Sequence, residues 1–367
     1  MNDESLPPAP PPLRIKGRGA ASNPEGRFET RRGEWADDGW HRDDDEAPPH
    51  PATTVTEERA RSIISTNDSP DIAFDQSINP YRGCEHGCVY CYARPSHGFL
   101  NLSSGLDFET KLFAKTNAAA LLRAALAKPG YVVKPIGFGT NTDPYQPIEQ
   151  RYRIMRELLE VLVETRHPLT IVTKSARIER DLDLLADLAR DRLAKAYVSV
   201  TSLDNALSSK LEPRASAPHR RLRAIETLAK AGVPVGVMVA PVIPMITDKD
   251  LEEILSRAHA AGASSAAYVM LRLPYEVKDL FREWLALNFP ERAAHVMSLV
   301  NQIRGGRDND PRFGTRMTGE GVFAQLIARR FAIAAKKHGF DRARRDTALD
   351  TTRFRPPRVA TPQGELF

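Results

Sequence analysis

Short apolar runs rich in β-branched residues alternate with longer amphipathic runs from about residue 70 onward, and this alternation constrains the fold most strongly. The short runs predict strands, and the longer runs have the three- and four-residue spacing of helices. Alternation of this regularity gives parallel strands joined by right-handed helical crossovers. The predicted strands are 134–140, 169–175, 196–202, 233–243 and 265–272, and the predicted helices are 114–128, 149–166, 179–193, 218–232 and 248–262.

The number of strand–helix units narrows the fold class within α/β. Counting the segment SINPYRG (77–83) as a first strand gives about six units. A closed TIM barrel needs eight, so the sequence predicts a partial (β/α)6 TIM-like barrel, with a doubly wound sheet as the alternative. Both folds bind ligands at the carboxyl ends of their strands, so residues that end a strand are candidate site residues.

Composition divides the chain into four predicted parts. Residues 1–60 are rich in proline and charged residues and nearly lack aliphatic clusters, which predicts a disordered arm. Residues 61–275 form the predicted core, residues 276–340 a C-terminal helical extension, and residues 341–367 a frayed tail.

No stretch of the sequence resembles a membrane span or a signal peptide. The longest apolar run, 233–243, is far below the roughly 20 residues that a spanning helix needs, and it contains two prolines. The N-terminus lacks the basic-then-apolar order of a signal. We therefore expect a cytoplasmic protein without a membrane partner.

All three cysteines of the sequence lie in one stretch, PYRGCEHGCVYCYARP (80–95). In a reducing compartment, clustered cysteines indicate metal or redox chemistry before disulfides. A cubane iron–sulfur cluster has four irons, so three ligands leave one iron open, and an open metal position is typical of a catalytic centre. The candidate cluster ligands are Cys84, Cys88 and Cys91.

The same stretch allows a zinc site as an alternative. Three cysteines together with His86 or His97 would make a tetrahedral Cys3His site, and the protein would then be a non-catalytic zinc-binding module. Structural zinc sites usually use paired C-x2-C knuckles, and the sequence has no second knuckle. The iron–sulfur cluster is therefore the preferred interpretation.

The C-x3-C-x2-C spacing, with Tyr90 just before the last cysteine, resembles the signature loop of the radical S-adenosylmethionine (SAM) superfamily. NPYRGCEHGCVYCYARP followed by TDPYQPIE is similar to the branch that contains spore photoproduct lyase and its "DNA repair photolyase" relatives, over roughly residues 60–275. The segment RGGRDNDPRFG (304–314) resembles a subgroup whose reaction is unknown.

This resemblance implies a radical SAM core at residues 61–275, with a [4Fe-4S] cluster and SAM as cofactors. An electron donor such as flavodoxin or ferredoxin would reduce the cluster. Reductive cleavage of SAM would release a 5′-deoxyadenosyl radical, which would abstract a hydrogen atom from the substrate. The protein would supply position and exclusion of water.

Candidates for holding SAM, besides Tyr90, follow the second and third predicted strands. Thr140, Thr142 and Asp143 would contact the methionine amino group, although an Asp-Pro turn explains the same residues. Lys174 would pair with the SAM carboxylate, since burying an unpaired lysine is costly. The alternative is a lysine exposed at the surface.

Three further candidates come from the fourth strand and the loop after it. Ser199 and Thr201 share one strand face, which would face the ribose of SAM, although small residues packed inside a barrel give the same pattern. Arg214 would bind a carboxylate bidentately, or it is an ordinary loop charge.

The chain departs from spore photoproduct lyase at the position of a hydrogen-donating cysteine. Thr140 stands at about that position, and the sequence has no fourth cysteine. A threonine O–H bond is too strong to donate a hydrogen atom readily, so repair of thymine dimers by the thiol route is not expected.

The substrate class remains open between two predictions. A nucleic acid or nucleotide is favoured by the branch resemblance and by basic segments at 328–339, 341–346 and 353–358. The net charge of +5 permits an anionic partner without requiring one. The alternative substrate is a small molecule or a protein side chain. The sequence leaves the oligomeric state open.

Overall fold

Six parallel strands form the central sheet, and they pair in the order in which they occur in the chain. The computed structural model describes residues 15–28, 51–72, 74–340 and 348–357. Within these residues the sheet order is β10-β9-β8-β7-β6-β3, with β2 antiparallel at the edge next to β3. The strands are β1 (Thr54–Glu58), β2 (Ile64–Thr66), β3 (Gln76–Ile78), β4 (Tyr81–Arg82), β5 (Lys111–Lys115), β6 (Ile136–Phe138), β7 (Leu169–Thr173), β8 (Ala194–Ser199), β9 (Val235–Val242) and β10 (Ser265–Met270).

Helices connect the parallel strands, so the predicted partial (β/α)6 TIM-like barrel is confirmed. Three 3-10 segments, 94–100, 176–181 and 248–250, accompany the α-helices. The α-helices are α1 (Leu106–Thr110), α2 (Ala118–Leu126), α3 (Glu149–Tyr152), α4 (Ile154–Thr165), α5 (Leu182–Arg190), α6 (Asn205–Leu211), α7 (Pro218–Lys230), α8 (Leu251–Ala260), α9 (Val277–Asn288), α10 (Ala293–Ile303) and α11 (Gly321–Lys337).

The core lies between the sheet and the helices that cover it. Strand residues such as Ile171, Val198 and Val237 are fully buried, and they pack with apolar residues from the inner faces of α4, α5, α7 and α8. Burying each such side chain contributes roughly 1.5–3 kcal/mol relative to leaving it in water. The helices thus hold the strands in register and present their carboxyl ends as one edge.

A second, smaller sheet carries the cysteine stretch, and the sequence patterns did not predict it. Strand β5 pairs in parallel with β1 and antiparallel with β4, and β4 leads directly into the cysteine loop. The predicted helix at 114–128 is wrong at its start, because Ala114 and Lys115 belong to β5. Leu112 and Ala114 are buried alternately with more exposed neighbours, which is the two-residue period of a strand.

The predicted helix at 149–166 is also interrupted. Arg153 has a φ of +55° and separates α3 from α4. The Glu149 carboxylate accepts the N–H of Met155 at 3.1 Å and so replaces a helical acceptor at this break. Continuous apolar spacing cannot reveal such a local bond.

The prediction of disorder over 1–60 is wrong for residues 15–28 and 51–60. β1 is a strand of the small sheet, and Ala20 is buried, with its N–H donated to Glu109 at 2.8 Å. Both stretches are poor in apolar residues, but they are held by hydrogen bonds between their backbone groups and residues far away in the sequence, such as Glu109 and strand β5. The rest of the predicted arm, 1–14 and 29–50, lies outside the described residues.

The prediction of a frayed tail is wrong for residues 348–357. The N–H of Arg355 donates to the carbonyl of Thr165 at 2.8 Å, and the Phe354 ring lies 5.6 Å from that of Tyr131. The other parts of the tail, 341–347 and 358–367, lie outside the described residues. No helix in the described part of the chain is both long and apolar enough to cross a membrane.

Candidate active site

The three cysteines line one cavity together with residues that end strands β6, β7 and β8. Cys84 and Cys88 are buried, and Cys91 is half-buried. They lie just past β4, on the side where the parallel strands have their carboxyl ends. The other polar residues of the cavity include His86, Thr140, Thr142, Asp143, Thr173, Lys174 and Ser199.

Two glycines give the cysteine loop its close turns. Gly83 has a φ of +75°, and a Cβ there would lie 2.8 Å from the carbonyl oxygen of Phe108. Gly87 has a φ of +66°, and a Cβ there would lie 2.4 Å from the Glu109 carboxylate. Any larger residue would be strained and would push the loop off its support.

A buried ion pair beneath the loop holds its backbone. Arg94 and Glu109 are fully buried and bond at 2.7 Å. The Nε of Arg94 also donates to the carbonyl of Cys88 at 2.9 Å, and Glu109 accepts the N–H groups of Gly19 and Ala20. The sequence did not reveal this pair: Arg94 lies three residues after Cys91, but no pattern links it to Glu109.

The thiols of this loop are suited to binding a metal centre rather than to acting as free thiolates. Burial raises the pKa of Cys84, and it raises that of Cys88 to about 12. Buried thiols of this kind stay protonated unless a metal ion replaces the proton. Among the described residues, no group of three or more Cys, His, Asp or Glu side chains is arranged around a single ion position.

Thr142 supports the cysteine loop. Its hydroxyl donates to the carbonyl of Gly83 at 2.6 Å, and Gln146 donates to the same oxygen at 3.2 Å. Gln146 also accepts the N–H of Glu85 at 2.8 Å. Thr142 therefore lines the cavity, but its proton is used within the protein. Gln146 was not singled out from the sequence.

Asp143 joins the β6 loop to β7. Its carboxylate accepts the Thr173 hydroxyl and the N–H of Lys174, each at 2.7 Å, and lies 3.3 Å from Nδ1 of His86. Burial would raise its pKa, but His86 and these donors outweigh burial and lower the pKa to about 2. Asp143 is thus an ionised group that orients the cavity wall.

The two histidines considered for zinc are held differently. His86 lines the cavity beside Asp143. His97 packs against the Phe108 ring at 5.2 Å, and its Nε2 lies 2.9 Å from the carbonyl oxygen of Lys111.

Thr140 lines the cavity and exchanges hydrogen bonds with Asn79, the shorter at 2.9 Å.

Tyr90 and Thr201 belong to a buried polar cluster around Glu212. The Tyr90 hydroxyl donates to Glu212, Thr201 donates to it at 2.6 Å, and Arg221 forms an ion pair with it. Burial would raise the pKa of Glu212, but Arg221 and Lys174 outweigh burial and lower it to about 2. Arg221 was not singled out, because its helix pattern is also that of a solvated face.

Arg214 lies outside the cysteine cavity. It bonds to Glu85 at 2.8 Å, and 39% of its side chain is exposed. Its N–H donates to the carbonyl of His86 at 3.2 Å. The residue therefore supports the cysteine loop from the outer side.

Three polar residues of the cavity, Lys174, Ser199 and Asn141, have side chains without a hydrogen-bond partner in the described part of the chain, and Asn141 is exposed to solvent. The Lys174 ammonium lies 5.8 Å from the centroid of the Tyr90 ring. Burial would lower its pKa, but Cys88 and Glu212 outweigh burial and raise it. The cavity thus holds a cation free to bind an anion.

Comparison with known proteins identifies the family. The model of the radical SAM superfamily matches residues 78–258. Uncharacterized proteins of Mycobacterium tuberculosis and Mycobacterium bovis are 37% identical over 261 residues, which is 70% of this chain and 76% of theirs. The radical SAM Nalpha-GlyT isomerase of Pseudomonas phage M6 is 25% identical over 239 residues, 64% of this chain and 48% of that protein.

A solved structure shares the fold. A single-substitution mutant of spore photoproduct lyase superposes with a TM-score of 0.56, over 78% of this chain and 80% of that one, at 16% identity. The chain belongs to the radical SAM superfamily, and it is an enzyme of that class. The expectation from the cysteine loop is confirmed at this level.

Proposed function

We propose that this protein is a radical SAM enzyme in which Cys84, Cys88 and Cys91 hold a [4Fe-4S] cluster and SAM occupies the adjoining cavity. The observation that carries the proposal is that all three thiols face one cavity at the carboxyl ends of β6, β7 and β8. With both cofactors bound, the site would supply one-electron cleavage of a C–S bond of SAM to methionine and a 5′-deoxyadenosyl radical, which would take a hydrogen atom from the substrate.

The arrangement of the thiols favours a cluster over zinc. A zinc ion requires four ligands that converge at roughly 2.0–2.3 Å, whereas a cubane binds each thiolate to a different iron. No convergent group exists among the described residues. His97, the second proposed zinc ligand, already bonds to a backbone carbonyl.

Lys174 is the residue we propose for the SAM carboxylate. Its ammonium group faces the cysteine cavity without a partner in the described residues. Ser199, two residues from the Glu212 cluster member Thr201, offers a free hydroxyl to SAM. The sequence candidates Tyr90, Thr142, Asp143, Thr201 and Arg214 then act mainly by shaping the cavity, since each has a partner within the protein.

The substrate we propose is nucleic-acid-related, and a redox protein such as flavodoxin or ferredoxin would supply the electron. The basic segment at 353–358 gives no support, because Arg353 pairs with Asp191 near the amino ends of the strands. Support comes from Tyr92, an aromatic residue that lines the cavity, and from Arg272, whose guanidinium carbon lies 5.5 Å from the Tyr92 ring centroid. A small molecule or protein side chain is the alternative.

Anaerobic reconstitution with iron and sulfide tests the proposal. We expect about four irons per wild-type chain and 5′-deoxyadenosine after addition of SAM and a reductant. Cys88→Ala should lose the visible absorption and lower 5′-deoxyadenosine formation at least 1,000-fold, about 4 kcal/mol or more.

Ser298→Ala, on the exposed face of α10, is the control and should behave as wild type. Undiminished 5′-deoxyadenosine formation by Cys88→Ala would refute the assignment. One tightly bound zinc per wild-type chain, without sulfide, would instead support the zinc-binding module.

A further inference from the structure

The loop between α10 and α11, residues 304–320, is fixed against the end of the last parallel strand. Arg304 is buried and donates to the carbonyl of Leu271 at 3.1 Å and to that of Met270 at 2.9 Å. The N–H of Met270 donates to the carbonyl of Met317 at 2.8 Å. The loop therefore has a defined position at the carboxyl end of β10.

Arg272 lies where this loop meets the cysteine cavity. It follows β10 by two residues, and its guanidinium carbon is 5.5 Å from the ring centroid of Tyr92. Tyr92 lines the cavity next to Cys91. Arg272 thus lies against a side chain that lines the cavity.

The charge of Arg272 is not balanced by a direct partner. Its Nε–H is buried and has no hydrogen-bond acceptor in the described part of the chain, and its Nη1 has a weak contact with the Met317 sulfur at 3.7 Å. Asp71 acts on it electrostatically but is bonded to Arg316 at 2.6 Å and to the N–H of Gly314 at 2.8 Å.

A second guanidinium group, that of Arg316, adds to the positive charge around Arg272. Burial lowers its pKa, and the nearby Arg316 lowers it further. Since a guanidinium keeps its proton at neutral pH, the result is a half-buried positive charge that an incoming anion would stabilise.

Two exposed aromatic side chains lie against Arg272 and its neighbour Arg316, Tyr92 against the first and Phe313 against the second. Tyr92 is 48% exposed and Phe313 is 55% exposed. The Arg316 guanidinium carbon lies 4.5 Å from the Phe313 ring centroid, and Arg316 acts electrostatically on both Tyr92 and Arg272. Aromatic faces beside guanidinium groups bind planar rings by stacking and cation–π contacts.

We propose that Arg272 is a substrate-binding residue that receives an anionic group, a phosphate or carboxylate, carried next to a planar ring that stacks on Tyr92 or Phe313. This inference rests on the proposed function, because it places the substrate beside the SAM cavity. Arg304 and Arg316 are positioning residues that fix the loop.

Binding of three anionic probes and one uncharged control, fluorescent or in competition, to the SAM-loaded holoenzyme tests the proposal. The probes are a labelled 12-residue oligothymidylate, thymidine 5′-monophosphate with thymidine as its uncharged partner, and benzoate. Arg272→Gln should weaken binding of the recognised probe about 10-fold, and Arg272→Lys should weaken it less, since the charge remains. Arg190→Gln, an exposed arginine on α5, should leave binding unchanged.

The probe that responds identifies the source of the anion. If the oligonucleotide is the ligand, Arg272→Gln should also reduce the slope of log affinity against log salt by about 0.7, the value for one lost phosphate contact. A response to the monophosphate or to benzoate alone indicates a small substrate. Circular dichroism of each variant checks that it is folded.

Two results would overturn the inference. One is that Arg272 makes no difference, because wild type, Arg272→Gln and Arg272→Lys either bind every probe equally or bind none of them. The other is a weaker affinity for SAM in place of weaker probe binding, which would assign Arg272 to the cofactor. Formation of 5′-deoxyadenosine by the wild-type enzyme separates this inference from the proposed function. If no 5′-deoxyadenosine forms, the proposed function has failed. If it forms and one of these two results is obtained, only the inference about Arg272 has failed.

Discussion

The two ends of the barrel differ in how their polar groups are used. At the amino end, His167 is fully buried before β7, and its ring lies 5.5 Å from that of Phe354 and 5.8 Å from that of Tyr131. At the carboxyl end, charged groups surround an open cavity, and Lys174 has no side-chain partner in the described residues. The first end closes the core, and the second is available for ligands.

The carboxyl end itself contains two kinds of groups. Asp143 and Glu212 have several donors each, and both pKa values are lowered to about 2. The Lys174 ammonium and the Nε–H of Arg272 have no hydrogen-bond acceptor in the described part of the chain. We infer that the satisfied groups build the cavity and that the others bind ligands, which predicts opposite effects of substitution.

The largest effect on stability should come from Arg221. Arg221→Met leaves the buried Glu212 charge without its ion-pair partner, so we expect a loss of about 3–5 kcal/mol in the free energy of unfolding. Denaturant titration measures it.

Arg220→Met is the control on the same helix, since Arg220 is 42% exposed and pairs with Glu179 at 3.4 Å. It should cost about 0.5 kcal/mol or less. Equal losses for the two variants would show that the Glu212 cluster is not a structural element.

The amino end should produce a pH-dependent stability. Burial lowers the pKa of His167 from 6.5 to about 4. Below pH 6.5 His167 is protonated in the unfolded chain but stays neutral in the folded chain. Its contribution to the free energy of unfolding is therefore fully present above pH 6.5 and is lost as the pH falls toward 4. The loss should approach about 3 kcal/mol over this window.

His167→Gln should remove this pH-dependent part, whatever its effect at pH 7.5. His219→Gln, at an exposed position on α7, should keep it. Unfolding free energies at pH 7.5, 6.0 and 5.0 make the comparison. A wild-type profile that matches that of His167→Gln would mean that the amino end is hydrated rather than closed.

The smallest effect should be on cofactor affinity. Lys174→Met should raise the Kd for SAM about 10-fold, or about 1.4 kcal/mol, because a charge-assisted hydrogen bond is lost. It should lower the unfolding temperature much less than Arg221→Met does, since Lys174 has no hydrogen-bond partner in the described residues and acts on Glu212 only through its charge. Equilibrium dialysis and a thermal melt measure the two quantities.

Lys128→Met, an exposed lysine after α2, should change neither quantity. If Lys174→Met destabilised the protein as Arg221→Met does, the division between satisfied and ligand-binding groups would be wrong.

The parts of the molecule that the sequence predicted are those with local signals. Strand and helix periods located five of the six parallel strands and the first one only in part, because the predicted strand 77–83 covers the end of β3 and also β4 of the small sheet. The spacing of three cysteines located the loop. The small sheet and the Arg94–Glu109 pair depend on contacts between distant segments, such as Ala20 with Glu109, 89 residues apart. No period in the sequence encodes those contacts.

The site candidates show the same limit at the level of single side chains. Thr201 and Ser199 share a pattern in the sequence, yet Thr201 bonds to Glu212 while Ser199 lines the cavity. Strand alternation gives the face but not the neighbour on that face. Arg214 and Arg221 likewise lie in one segment, and Arg221 is the buried one.

Electron paramagnetic resonance of the reduced, reconstituted enzyme tests the central claim most directly. If three cysteines hold a cluster whose fourth iron is open, SAM should change the g values of the reduced cluster. Free alanine, added as a control, should not change them. An identical spectrum with and without SAM, or the absence of a paramagnetic cluster in iron-loaded protein, would contradict the account.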